Sequence, residues 1–459
     1  MNLHRLLQAR AETNRPIRVG LIGVGTFGTM FLSQVLHTSG IHVLGVADLD
    51  ANKAYANLEA TRWPRHRYQA QSPAKALADG TTWVTEDSDA LINAGGLQVV
   101  IEATGDPDAG IRHALAAISR GRHLVMVNVE ADALAGPYLA EKERRANVVY
   151  SLAYGDQPAL IVEMVDWARS CGLKVVAAGK GTLYMPEYHA ITPDTVWEYY
   201  FEEDGLDRAE KSGLNAKMFT SFIDGTKSAI EMAAVSNATG LTPAPSGLLF
   251  PACAVENLAG TLIPETQGGL LHHEGQVKVI SSRRRNGMDV KNDPRWGGFV
   301  TFQASSDYVR RCFSDYGLIT NSSGYYAALW RPFHLIGLEL GPSVASAAIL
   351  NLPTGAPDDF RADVAATAKR DLNIGDVLDG EGGYMVWGRL MLACDALSLG
   401  AVPIGLANGA ILQKPVREGS VVTWQDLEVS PNLTEKTMYK VRREMEATMI
   451  TKLKSGPLK

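Results

Sequence analysis

Five short apolar runs punctuate the first third of the chain: 17–22, 41–47, 97–102, 123–127 and 147–151. Each is short enough for a buried strand. Stretches with helical spacing lie between most of them, at 51–59, 108–120 and 132–146, with another running through His37. Strands alternating with helices predict a parallel, doubly wound α/β sheet. Residues 60–90 break the rhythm with Pro64, Pro73 and Gly80, which predicts a surface excursion.

From residue 156 the texture changes. A helix is expected over 157–171, then a strand over 174–178 that runs into Gly179-Lys180-Gly181-Thr182. The stretch 183–330 is rich in Gly, Pro and aromatics, with a helix expected over 222–238, and reads as a mixed α+β domain. Arg331-Pro332-Phe333-His334 then opens an apolar helix through Leu350, which reads as a return segment. Pro353 to Pro357 reads as a linker. Beyond it come turn signals such as Asn373-Ile374-Gly375-Asp376 and an amphipathic helix over 433–454. Its apolar residues (Met438, Val441, Met445, Met449) suit packing against the protein or a second subunit. The expected domains are 1–155 with return segment 331–355, then 156–330, then 356–459.

Composition narrows the class. The 459 residues are 46% hydrophobic and 20% charged, which excludes a disordered chain, a collagen and a coiled-coil rod. Lys+Arg is 44 against Asp+Glu 50, a formal charge of -6, so no basic footprint for nucleic acid appears. No apolar run reaches the ~18 residues of a membrane helix. Met1 to Arg15 is polar and basic, unlike a signal peptide. Cys171, Cys253, Cys312 and Cys394 are scattered, with neither metal spacing nor a disulfide framework. These features point to a soluble cytoplasmic enzyme.

The clearest motif is Gly23-Val24-Gly25-Thr26-Phe27-Gly28, which follows an expected strand and opens an expected helix. That is the context a dinucleotide fingerprint requires. Gly23 permits the tight turn, Gly25 leaves room for pyrophosphate, and Gly28 allows close helix–strand packing. Phosphates sit well at such a helix N-terminus, at Thr26 and Phe27, where free N–H groups and the helix dipole favour anions. Asp48 ends the next strand, where a carboxylate binds the adenosine ribose and disfavours a 2′-phosphate. It could instead cap the following helix. Lys53 could reach a phosphate, so the cofactor is NAD or NADP. Thr104-Gly105 and Asn128 end the next strands and fall on the same edge.

Hydride transfer needs a donor for the developing alkoxide, a role that suits lysine. Lys180, between two glycines at a strand end, and Lys227, at a helix start with Asp224 three residues before it, are the candidates. Arg331 and His334 add a cation and a titratable ring at the return segment. The Ser281–Arg285 run, with three arginines, and Asn321 to Tyr326 could each bind a phosphate. His272-His273-Glu274 lacks metal-ligand spacing and reads as an exposed loop.

In their order, Gly23 to Gly28, Glu102-Ala103-Thr104-Gly105, Asn128, Gly179-Lys180-Gly181-Thr182 and Asp224-Gly225-Thr226-Lys227 resemble the homoserine dehydrogenase family over residues 16–350. The resemblance implies a Rossmann domain, a central catalytic and dimerisation domain, and a return to the cofactor domain. It also implies that Lys227 and Asp224 are the substrate Lys and Asp. Asn128 is followed by Val129 where that family has a lysine, which speaks against homoserine itself. Lys180 stands where the family carries an uncharged residue.

The chain is more similar to the 1-deoxy-D-xylulose 5-phosphate reductoisomerase-like subgroup, through stretches such as Met218-Phe219-Thr220-Ser221-Phe222 and Arg331 to Glu339. That subgroup implies a C-terminal SAF-like β-clip, which Ala365 to Leu372 and Lys414 to Gly419 resemble. It further implies reduction of a keto-sugar phosphate with NADPH, a step toward isoprenoids. The expected function is hydride transfer to or from a small polar carbonyl or hydroxy compound, with a keto-sugar phosphate as a candidate, by a homodimer or larger homo-oligomer. A homoserine- or sugar-acid-type dehydrogenase, or a non-catalytic NAD(P)-sensing protein, are the alternatives. A reductoisomerase would call for a divalent metal. Glu187, Glu231 and Glu274 are the acids that could serve it, but they do not cluster in sequence, and no metal site is assigned.

Overall fold

The computed structural model describes residues 2–200, 214–428 and 430–455. The chain divides into two compact units, Met1–Leu160 with His334–Asp358, and Ile161–Phe333 with Asp359–Lys459.

The first unit is built on six strands, β1 (Ile17–Ile22), β2 (Ile41–Ala47), β3 (Trp83–Thr85), β4 (Val99–Glu102), β5 (His123–Met126) and β6 (Tyr150–Leu152). Their order is β3-β2-β1-β4-β5-β6 and every neighbouring pair is parallel. This is a doubly wound Rossmann sheet, and its strand order reverses between β1 and β4. The strands are almost continuously apolar because helices cover both faces. Val19, Leu21, Val99 and Ile101 are fully buried in one core with Leu340, Val344 and Ala345 of the return segment. That segment is tied down by hydroxyls: Ser343 Oγ lies 2.6 Å from Thr354 Oγ1 and accepts the Tyr154 N–H at 2.8 Å.

Residues 60–90 differ from the expected excursion. They supply β3 at the sheet edge and bury Trp63 and Tyr68 in the core. A three-residue strand is too short to show a period of two, so the sequence pattern conceals it.

A buried acidic pair lies beneath β6. Asp132 and Glu143, on the Val129–Arg145 helix, are fully buried. Tyr150 Oη donates to Asp132 Oδ1 at 2.8 Å, and neither Glu143 oxygen has a partner among the described residues. Burial pushes Asp132 up to about 7, against the pull of the Tyr150 hydrogen bond, and drives Glu143 well upward.

The second unit carries β7 (Lys174–Thr182), β8 (Gln276–Ser281), β9 (Gly298–Gln303) and β10 (Tyr326–Arg331) in the order β10-β9-β7-β8. Only β7 and β8 are parallel. The Thr226–Thr239 helix packs between this sheet and the antiparallel pair β11 (Ala362–Ala368) and β12 (Val386–Leu392). Ala229, Ala233 and Ala234 let it be enclosed on all sides. Its two ends are stitched to the C-terminal pair. Thr226 Oγ1 accepts the Gly388 N–H at 2.8 Å, and Asn237 Oδ1 accepts the N–H groups of Arg361 and Ala362.

The single helix expected over 222–238 is two, Ala216–Ile223 and Thr226–Thr239. The break is at Gly225, whose φ of 95° no right-handed helix admits. The C-terminal helix Thr437–Ser455 buries Met438, Val441 and Met445 as its spacing suggested, while Met449 is half-buried. It is held by fully buried Arg442, which donates to both oxygens of Asp363 on β11 and to Glu446 Oε1 at 2.8 Å.

Two predictions follow from these buried charges. Arg442→Ala leaves Asp363 and Glu446 buried without their cation, and should cost about 3–5 kcal/mol in urea unfolding; a cost of a few tenths would show the pair to be dispensable. Asp132 keeps its proton up to about 7 in the fold but releases it near 3.8 when unfolded, so the native state binds more protons between these values. Stability therefore falls as pH rises through that window. The stability difference between wild type and Asp132→Asn should shrink or reverse from about pH 4 to about pH 7 and level off above; a flat difference would contradict a raised Asp132.

Candidate active site

In the first unit the glycine motif sits between β1 and the Thr26–Val35 helix. A Cβ on Gly23 would lie 2.6 Å from the Ala103 carbonyl oxygen, and one on Gly28 would lie 2.2 Å from that of Gly23. Both close approaches admit only glycine. A Cβ on Gly25 would meet nothing within 4 Å, so the space above the turn is open. Gly25 caps the helix without a side chain, Thr26 is exposed and Phe27 half-buried. The first helical N–H groups are thus presented to this space, where an anion fits.

Asp48 Oδ2 accepts the Val24 N–H at 2.7 Å and Oδ1 that of Asp50 at 3.2 Å. The cap of the Ala51–Ala60 helix is Asp50, not Asp48, which leaves Asp48 braced against the glycine turn. A half-buried carboxylate in this place suits ribose hydroxyls. Thr104 and Gly105 are exposed, and buried Glu102 holds the Thr104 hydroxyl at 2.5 Å and His113 Nδ1 at 3.2 Å. Asn128 is turned inward. Its Oδ1 caps the Val129–Arg145 helix, and its Nδ2 donates to the Asp106 carbonyl at 2.9 Å. It shapes the edge of the site from below. The residues present fit a dinucleotide.

In the second unit a polar cluster surrounds the start of the Thr226–Thr239 helix. Asp224 is fully buried, its Oδ1 accepting the Thr226 N–H at 2.9 Å and its Oδ2 lying 2.8 Å from Lys369 Nζ. The carboxylate's described partners are therefore Thr226 and Lys369 rather than Lys227, the neighbour its spacing suggested. Lys369 also donates to the carbonyls of Ile191 (2.7 Å) and Gly383 (2.8 Å).

The Asp224 carbonyl lies 2.6 Å from His189 Nδ1, and His189 Nε2 lies 2.9 Å from Tyr184 Oη. A carbonyl only accepts, so Nδ1 carries the proton and Nε2 accepts from the tyrosine. Trp387 of β12 stacks on His189 with centroids 3.8 Å apart, and Phe250 stacks on Tyr184 at 3.9 Å. Gly225 makes room for these rings, since a Cβ there would lie 3.2 Å from His189 Cε1. Burial lowers the His189 pKa, partly offset by the Asp224 hydrogen bond, and keeps the ring neutral. Burial pushes Tyr184 up to about 12, although the Arg285 guanidinium 5.4 Å over its ring pulls the other way. A neutral imidazole accepting from a buried phenol is a pair able to pass a proton.

Lys180 on β7 forms a buried ion pair with Glu231 of the Thr226–Thr239 helix. Lys227 is half-buried in the first turn of that helix, four positions before Glu231 and so on the same face. The fold therefore gathers Lys180 and Lys227 at one helix face. Arg331 ends β10, with Nη1 3.8 Å from Glu163 Oε2, and half-buried His334 begins the return segment of the first unit. Sequence reasoning missed Tyr184, His189, Lys369 and Trp387. Among the described residues no group of three or more His, Cys, Asp or Glu side chains is placed to hold a metal ion, and no helix is long and apolar enough to cross a membrane.

The sequence model of the oxidoreductase DRL catalytic domain matches residues 155–340. Curated proteins offer no match. Among solved structures, an NAD binding oxidoreductase from Klebsiella pneumoniae is 18% identical with a TM-score of 0.26, over 38% of this chain and 44% of that one. The chain thus matches less than half the length of that protein. A homoserine dehydrogenase from Thiobacillus denitrificans is 12% identical with a TM-score of 0.43, over 88% of this chain and 98% of that one. A scyllo-inositol dehydrogenase from Lactobacillus casei, solved with NAD(H) and scyllo-inositol, is 10% identical with a TM-score of 0.33, over 63% and 74%. The first unit thus carries a Rossmann sheet with an open glycine turn, and residues 155–340 are similar to an oxidoreductase catalytic domain.

Proposed function

We propose that the protein transfers hydride between NAD(P) and a small polar carbonyl or hydroxy compound, with a phosphorylated keto-sugar as the favoured class. The Tyr184–His189–Asp224 chain of hydrogen bonds carries this reading, because it supplies the proton that carbonyl reduction consumes. NAD(P), when bound, supplies or accepts the hydride. Tyr184 Oη delivers the proton to the substrate oxygen in reduction and takes it back in oxidation. In oxidation His189 Nε2, which carries no proton, accepts the Tyr184 proton as the phenol takes that of the substrate hydroxyl; in reduction the phenolate left on Tyr184 regains its proton from solvent, while the Asp224 carbonyl keeps Nδ1 protonated. Lys227 is the cation for the oxygen as its charge develops. Lys180, neutralised by Glu231, holds β7 to the helix that carries Lys227. The preference for phosphorylated substrates rests on the resemblance to the reductoisomerase-like subgroup and on the arginines at 283 and 285 beside Tyr188 and Tyr184. At the other unit, the Asp48 carboxylate favours NAD.

The test is a panel of keto-sugar phosphates, sugar acids and homoserine, followed by nicotinamide absorbance with each cofactor. On the substrate found, Tyr184→Phe should lower kcat by about 10²–10⁴-fold while cofactor affinity stays unchanged. Undiminished turnover by that variant would remove Tyr184 from the chemistry.

A further inference from the structure

Arg284, the one arginine of its run that the relay does not use, meets the Asn321 segment elsewhere in the second unit. Arg283 bridges to Asp289, and Arg284 opens a tight turn that contains Arg285 and is closed by the Gly287 N–H on the Arg284 carbonyl at 2.9 Å. Arg283 donates to Tyr188 Oη at 3.3 Å, and Arg285 reaches the Leu249 carbonyl at 2.7 Å and overlies Tyr184. Both thus turn to the relay. Arg284, between them, lines a cavity of about 660 Å³ that none of Tyr184, His189, Asp224 and Lys369 lines.

That cavity is formed by two loops and the short helical segment 255–261. One brings Arg284 and Lys291, and among the described residues neither cation is engaged in an ion pair or side-chain hydrogen bond. The second brings Thr320, Asn321 and Ser322. Asn321 Oδ1 is already taken by the Tyr326 N–H and the Ser323 hydroxyl, which leaves its amide N–H₂ to donate. The helical segment brings Glu256, Asn257 and Thr261. The Thr261 hydroxyl accepts from the Cys253 thiol at 3.3 Å, leaving its own proton available. Two cations against one acid give a net positive lining, and every other polar group named can donate.

We propose that this cavity is a second binding site, separate from the relay, for the phosphate monoester of a small polyol. The volume is that of a small-molecule site. A phosphate dianion matches two cations and takes hydrogen bonds in several directions from hydroxyl and amide donors. A carboxylate would use fewer of these donors and would leave one cation uncompensated. The acid Glu256 and the Asn257 amide suit the hydroxyls of the polyol.

The test is isothermal titration of the full-length protein with inorganic phosphate, glycerol 3-phosphate and glycerol. Both phosphates should bind saturably, glycerol 3-phosphate more tightly, and glycerol not at all. Arg284→Gln and Lys291→Gln each remove a charge-assisted hydrogen bond from an exposed side chain and should weaken phosphate binding about tenfold or more. Arg310→Gln, which removes an equal charge from a surface helix, should leave it unchanged. Urea midpoints equal to wild type would show that the variants fold. No saturable phosphate binding, binding undiminished in both cavity variants, or equal weakening by Arg310→Gln would each overturn the proposal, and glycerol binding as tight as glycerol 3-phosphate would overturn the phosphate assignment.

Discussion

The second unit is organised around one buried ammonium. Lys369 donates to the carbonyls of Ile191 and Gly383 and lies 2.8 Å from the Asp224 carboxylate. Burying a cation and a carboxylate is tolerable only when both are paired and their remaining hydrogen-bonding capacity is filled. Here the two charges are paired, Lys369 is held by two carbonyls and Asp224 Oδ1 by the Thr226 N–H, and three distant stretches of chain are fixed relative to one another. Residue 191 follows the turn that carries His189, residue 224 ends the helix before Gly225, and residue 383 precedes β12, which carries Trp387. Breaking the pair would strand a buried charge and release all three.

Function follows from that constraint by short steps. With the Asp224 carboxylate held by Lys369 and the Thr226 N–H, its backbone carbonyl is aimed at His189 Nδ1. That bond decides which ring nitrogen is protonated, and so which one accepts from Tyr184. Trp387 and Phe250 then hold the two rings flat against apolar surface. The C-terminal residues are therefore part of the wall of the relay. The nucleotide edge of the first unit rests on different physics. There the backbone itself makes the site, through two contacts too close for any residue but glycine and through helix N–H groups left open.

This difference explains what was legible in the sequence. The glycine motif, the strand before it and Asp48 lie within 32 residues and follow a local pattern, so β1, β2 and the nucleotide edge could be read directly. The polar cluster could not. Asp224 and Lys369 are 145 positions apart, Lys180 and Glu231 51 apart, and no periodicity links them. Sequence proximity misled at Asp224, where Lys227 is near in the chain and Lys369 is the partner in space. Gly225 carried a usable signal, since Asp-Gly inside an apolar helical pattern marks a break. His189 and Tyr184 offered only a short aromatic cluster around Pro186. The β3 strand at 83–85 left no trace in the sequence pattern, because three residues cannot show a period.

The central claim is that the buried Lys369–Asp224 pair sets the tautomer of His189. Nitrogen-15 NMR of the full-length protein with labelled histidine, with His189 assigned by loss of its signals in His189→Gln, reads this directly. The account predicts a neutral ring at neutral pH, protonated at Nδ1, with Nε2 as a hydrogen-bond acceptor. A ring protonated at Nε2, or a charged imidazolium, would contradict it.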